Sequence, residues 1–223
     1  MTPSRSANLK WSATSKDPAR PEIFLASASP RRRQLLEQLG LIFQVHAPSL
    51  DETPRPGETP EDYALRLSEE KAFQVSWRHP EAVVIGADTV VILSGDMLGK
   101  PRDSDHAREM LTRLSGQTHQ VITGITVLCP PRQIYLNQAV ATEVTLKRLS
   151  REEIDHYVAT GEPMDKAGAY GIQGKGALLV EKIAGCYNNV VGLPLFALGI
   201  LLEQAEIRLW SPDSSPPAAA PRH

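Results

Sequence analysis

Hydrophobic positions divide the chain into short periodic segments, set between two ends that show no period. Glu22 to Ser27 reads as a first strand. Ser29 then stands where an N-cap belongs and Pro30 at the first helical position. Leu35, Leu36 and Leu39 form the apolar stripe of a helix that Gly40 closes. Ile42 to Ala47 returns as a strand and Pro48 to Gly57 as a loop. A second helix opens on Thr59 and Pro60 and runs to about Trp77. Ala82 to Leu93 is a long β-branched strand, followed by a turn at Ser94-Gly95-Asp96 and a short return through Met97 and Leu98. A third helix spans Ser104 to Leu114 and ends at Gly116. Val121–Leu128 and Ile134–Leu146 form a hairpin turning at Pro130-Pro131. Ser150 and Glu153 make a capping box for another helix. A glycine-dense stretch, Gly161 to Gly176, precedes a strand at Ala177–Ile183, and Pro194 opens a last helix reaching about Gln204. This alternation with one long hairpin predicts an α/β fold whose sheet is partly antiparallel.

Residues 1–20 and the proline-rich stretch 211–223 are expected to be disordered, which leaves 21–210 as the folded domain. Of 223 residues, 41% are hydrophobic, enough for a core that needs no staples. A formal net charge of −2 argues against bulk electrostatic binding to nucleic acid. Cys129 and Cys186 lie far apart in no metal-type spacing and read as small apolar residues of a reducing cytoplasm. No apolar run approaches the ~18 residues of a membrane span. Arg5, Lys10 and Lys16 have no apolar core behind them, so the N-terminus does not read as a secretory signal.

Candidate chemistry begins at Ser27-Ala28-Ser29-Pro30-Arg31-Arg32-Arg33, where a strand becomes a helix. Free N–H groups and the helix dipole attract anions there, and arginines strengthen the attraction. The Walker pattern is absent, so phosphate would bind by another geometry. A capped surface helix with solvated arginines is the alternative. Asp88 is the only charge in the apolar run Ala82–Leu93. A buried carboxylate needs a cation, a metal or strong donors, which points to catalysis or metal binding. A structural aspartate satisfied by backbone amides in a bulge remains open. Gly86 beside it permits close approach of a backbone or a ligand.

Asp51 and Glu52 are a second source of carboxylates, or simply a solvated loop. Lys71 lies on the apolar stripe of Ala64, Leu67 and Val75, where snorkelling is the commoner explanation. Lys100 follows a tight turn soon after the Asp88 strand. Gly168 to Gly174 supplies a flexible or closely approaching loop, with Gln173 as a polar reader.

Six ordered motifs carry a resemblance. They are Leu25–Arg32, Glu69–Ala72, Ile85–Val91, Gly99–Arg102, Asp165–Gly174 and Asn189–Pro194. Together they resemble the Maf proteins over nearly everything between Ile23 and about Leu202. The resemblance implies an elongated α/β fold like that of inosine triphosphate pyrophosphatases, with a cleft between two lobes. It implies divalent-metal-dependent release of pyrophosphate from nucleoside triphosphates, by homodimers. By motif, Asp88 matches the catalytic acid, and Ser27, Arg31, Arg32, Lys71 and Lys100 match phosphate-handling positions. Glu52 matches an acid that helps hold the cation, with Glu70 a further candidate beside Asp88.

Mg²⁺ or Mn²⁺ suits carboxylate and phosphate oxygens better than zinc does. The branch of the family acting on dTTP and UTP carries arginine, threonine and glutamine where this chain has Arg31, Thr89 and Gln173. Expected rivals are a 7-methylguanosine triphosphate pyrophosphatase and a nucleotide-binding regulator of septum formation.

Overall fold

The computed structural model describes residues 21–207 and 209; the expected disordered ends lie outside the described residues. Strand β1 (Ile23–Ala26) leads into helix α1 (Pro30–Gln38), which Ser29 caps by accepting the Arg32 N–H. Gly40 adopts φ +68°, the left-handed geometry that ends a helix. Strand β2 (Gln44–Val45) is only two exposed residues, shorter than the run Ile42–Ala47, because it pairs solely with Phe24 and Leu25 at the sheet edge. Helix α2 (Pro60–Ser76) is capped by Thr59. Strands β3 (Val83–Leu93) and β4 (Asp96–Leu98) form the expected turn and return. Asp103 caps helix α3 (Ser104–Leu114). Strands β5 (Thr118–Cys129) and β6 (Ile134–Leu146) are the hairpin.

The capping box of helix α4 (Arg151–Ala159) closes in both directions: the Glu153 N–H donates to Ser150 Oγ, and the Ser150 N–H to Glu153 Oε2. The glycine-dense stretch folds into 3₁₀ turns, the last of them Gly174–Leu178, so strand β7 (Val180–Ala184) starts later than Ala177. Helix α5 (Tyr187–Val191), too short to show a period, was not expected; helix α6 (Leu195–Gln204) was.

The sheet order is β2-β1-β3-β5-β6-β7, with β4 on β3. The β1 pairings are parallel and the rest antiparallel, the mixed α/β sheet expected. Alternation along β3 explains the layers. Val83, Ile85 and Ala87 pack with Leu35, Leu36, Leu198 and Leu202 of α1 and α6. Val91 and Leu93, on the same face but further along, pack with Leu111, Leu114, Ile154 and Val158 of α3 and α4. Two apolar lobes therefore share one sheet face, with Thr89 at the seam. Helix α2 covers the other face, through Ala72 and Val75 in one cluster and Ala64 in another. It lies very close because Gly86 and Gly124 have no Cβ. A methyl there would collide with the Ser68 and Ala64 carbonyls.

Candidate active site

Strand β1 ends opposite Gly86, and β4 joins β3 only from Val91. Among the described residues no strand pairs with that edge of β3 over 87–90. The gap lies beyond the carboxyl end of a parallel strand, at the seam of the lobes, where open α/β sheets leave a crevice. A cleft of about 510 Å³ opens there, lined among others by Ser27, Arg31, Arg32, Glu52, Lys71, Asp88, Thr89 and Lys100.

Asp88 points from β3 toward α2 and is buried, 8% exposed. Lys71 reaches it from α2: Nζ lies 2.5 Å from Asp88 Oδ1 and 2.6 Å from Glu52 Oε1. This lysine does not snorkel; it bridges two carboxylates. Burial pushes Glu52 up, but the Lys71 hydrogen bond and the charges of Lys71, Lys100 and Arg32 together hold it below its usual range. Tyr63 donates its hydroxyl to the Glu52 carbonyl at 2.8 Å. Burial, reinforced by Asp88 and Glu52, pushes that phenol up to about 12, so it stays a neutral donor.

On the opposite face Arg32 is buried and held at four points. Its Nε donates to the Gly192 carbonyl at 2.8 Å. Its Nη1 donates to Ser27 Oγ at 3.2 Å and to the open-edge carbonyl of Ala87 at 2.8 Å, and its Nη2 to Thr89 Oγ1 at 2.9 Å. Burial lowers its pKa and Asp88 opposes that shift. Solvated helix arginine is therefore the wrong description of Arg32, although it fits Arg33, which among the described residues pairs only with exposed Glu37.

Arg31 spans the cleft to Asp165 at 2.7 Å. Asp165 also accepts from Lys166 Nζ at 2.7 Å. Burial pushes the Asp165 carboxyl up, and the bonds from Lys166 and Arg31 bring it below its usual range. Lys100 is exposed on the rim and forms no ion pair among the described residues.

Two expected residues stand apart. The carboxylate of Glu70 is engaged by Arg55 at 2.8 Å and Arg66 at 3.3 Å, outside the cleft lining. One residue along a helix turns a side chain by about 100°, so Lys71 facing Asp88 directs Glu70 elsewhere. The carboxylate expected to help hold a cation therefore stands away from Asp88 and Glu52, among arginines. Gln173 follows the lining residues Gly171 and Ile172, but its side chain is not part of the cleft wall. Tyr63, Lys166 and Gly192 line the cleft without having been singled out. Lys166 and Gly192 lie within the motifs Asp165–Gly174 and Asn189–Pro194; nothing in the periodicity marked Tyr63.

A family model described as Maf-like protein matches residues 22–205. The chain belongs to the Maf family. Among similar proteins, one from Desulfotalea psychrophila is 51% identical over 176 residues, covering 79% of this chain and 90% of its own. One from Clostridioides difficile is 51% identical over 184 residues, covering 82% and 94%. One from Yersinia pestis is 52% identical over 174 residues, covering 78% and 87%. Each is named dTTP/UTP pyrophosphatase. No helix among the described residues of this Maf protein is long and apolar enough to cross a membrane.

Proposed function

We propose that this protein hydrolyses nucleoside triphosphates, dTTP and UTP foremost, to the monophosphate and pyrophosphate. The observation that carries this is Asp88: a buried carboxylate on an unpaired strand edge, in a cleft lined by arginines and lysines. Arg31, Arg32, Lys71, Lys100 and Lys166 outnumber Glu52, Asp88 and Asp165 there by two positive charges. A triphosphate carries about four negative charges, reduced to about two by one divalent cation, so the two balance. The names of the similar proteins support the same substrates.

Asp88 accepts a proton from a water, or orients it, as the water oxygen bonds to the α-phosphorus. The α–β bridging bond breaks in line, and its electron pair leaves with pyrophosphate. Lys71 holds the Asp88 carboxylate in position through its 2.5 Å contact. Arg32 and Lys100 meet the phosphate oxygens, the first rigidly and the second from the rim.

Asp88 and Glu52, with a single ammonium between them, leave a negative charge over hard oxygen donors, which fits Mg²⁺ or Mn²⁺ shared with substrate phosphates. Among the described residues no group of three His, Cys, Asp or Glu forms a complete metal site, so part of the ligand set would come from the nucleotide or water. Such an ion would neutralise phosphate charge when bound. Thr89, which lines the cleft, and Gln173, beside the lining residues Gly171 and Ile172, would meet the base or sugar. The protein would act in the cytoplasm as a homodimer; both cysteines are free.

Pyrophosphate release over a panel of triphosphates with Mg²⁺ or Mn²⁺ tests this. dTTP and UTP should be used best, CTP less well and 7-methylguanosine triphosphate poorly. A preference for the methylated purine, or no release from any triphosphate, would overturn the proposal.

A further inference from the structure

Behind the cleft wall lies a chain of hydroxyls whose direction is set by elementary donor counting. Thr123 stands opposite Thr89 in the β3–β5 register and is fully buried. Its Oγ1 donates to the Asn189 carbonyl at 3.2 Å, and that oxygen can only accept. The single hydroxyl hydrogen of Thr123 is thus committed, so in the 2.9 Å contact between the two threonines Thr89 is the donor. Thr89 Oγ1 in turn accepts from Arg32 Nη2. The chain runs one way, from Arg32 through Thr89 and Thr123 to Asn189.

Its far end is anchored. Asn189 is fully buried and its Nδ2 donates to the Val121 carbonyl and to Thr142 Oγ1, each at 2.9 Å. Three residues on, Gly192 supplies the carbonyl that takes Arg32 Nε. A guanidinium has five N–H donors, and four are used by Gly192, Ser27, Ala87 and Thr89. One Nη2 hydrogen is left for a ligand oxygen.

We propose that Thr123 is a positioning residue. By taking the Thr89 hydrogen it keeps Thr89 an acceptor, which aims Arg32 so that its remaining N–H faces a phosphate. The inference rests on the triphosphate pyrophosphatase function, and Thr123 itself touches no substrate. Without the Thr123 hydroxyl, Thr89 loses its acceptor and is free to turn its hydrogen toward the guanidinium or the cleft.

Thr123→Val keeps the shape and removes the hydroxyl, whereas Thr123→Ser keeps the hydroxyl. With dTTP as substrate, the valine variant should lose roughly tenfold in kcat/KM, the scale of a disturbed hydrogen bond to a charged group, and the serine variant should retain wild-type activity. Combined with Arg32→Lys, Thr123→Val should cost little more, since both act on one unit. Calorimetric binding of inorganic tripolyphosphate should weaken in the valine variant alone of the two. Should that variant fail to fold, Thr123→Ala carries the same expectation. Equal kinetics for the valine and serine variants, or additive losses with Arg32→Lys, would overturn the inference while leaving the function intact. A wild-type protein that releases no pyrophosphate would overturn the function. Tripolyphosphate binding weakened by the valine variant would then still support the positioning role.

Discussion

Arg31 and Asp165 form a 2.7 Å ion pair across the cleft, joining α1 of one lobe to the 3₁₀ turn Glu162–Asp165 packed on the other. Sequence alone suggested Arg31 as a free phosphate or base contact. In the structure its Nη1 is already engaged, so an incoming triphosphate competes with Asp165. Asp165→Asn should therefore lower KM for dTTP by roughly threefold, the scale of a partly exposed pair, with kcat unchanged. Steady-state kinetics check this. A raised KM would mean that Asp165 helps to bind the nucleotide.

Asp88→Asn is nearly isosteric and should leave the fold intact while lowering turnover by roughly 10²–10⁴-fold. Circular dichroism together with pyrophosphate release measures both. A folded variant with wild-type turnover would make Asp88 structural.

Lys71 and Lys100 part company in the structure. Lys71 is buried between Asp88 and Glu52, so Lys71→Ala leaves two carboxylates facing each other and should cost about 3 kcal/mol as well as activity. Lys100 is exposed, and Lys100→Ala should raise KM for dTTP with no change in melting temperature. Urea unfolding and kinetics on both variants separate the two roles. Equal stability loss in both would remove the distinction.

A pH dependence follows from His119, whose Nε2 lies 2.7 Å from the Tyr170 hydroxyl and whose Nδ1 is buried without a hydrogen-bond partner. Burial pushes the imidazole from 6.5 down to about 4. The unfolded chain then binds the proton more readily than the folded one, so stability falls as pH drops through the window between these values. The loss should reach about 2 kcal/mol at pH 5. Urea unfolding at pH 7.5 and pH 5 measures it, and His119→Gln should lack this part of the slope. An unchanged slope in that variant would exclude His119 as its source.

Much of the fold was legible because its signals are local. Ser29 and Pro30, Thr59 and Pro60, and Ser150 with Glu153 open helices through contacts within one turn. The β-branched run around Asp88 and the Pro130-Pro131 turn needed no distant partner to be recognised. Helix α5 escaped because five residues are too few to display a period, and β2 shrank because edge pairing, not composition, sets its length.

The sequence by itself determined the family, the mixed α/β class and the odd carboxylate at Asp88, since motifs, periodicity and an unpaired charge are all properties of neighbouring residues. Only the tertiary structure decided which charges meet. Lys71 and Asp88 are 17 positions apart, Arg32 and Gly192 are 160, and Arg31 and Asp165 are 134. The first contact depends on two glycines that let α2 settle onto the sheet, and the cleft holding all three opens where β1 stops before β4 begins. The same settling turned Glu70 away to Arg55 and Arg66, because adjacent residues on a helix face different directions.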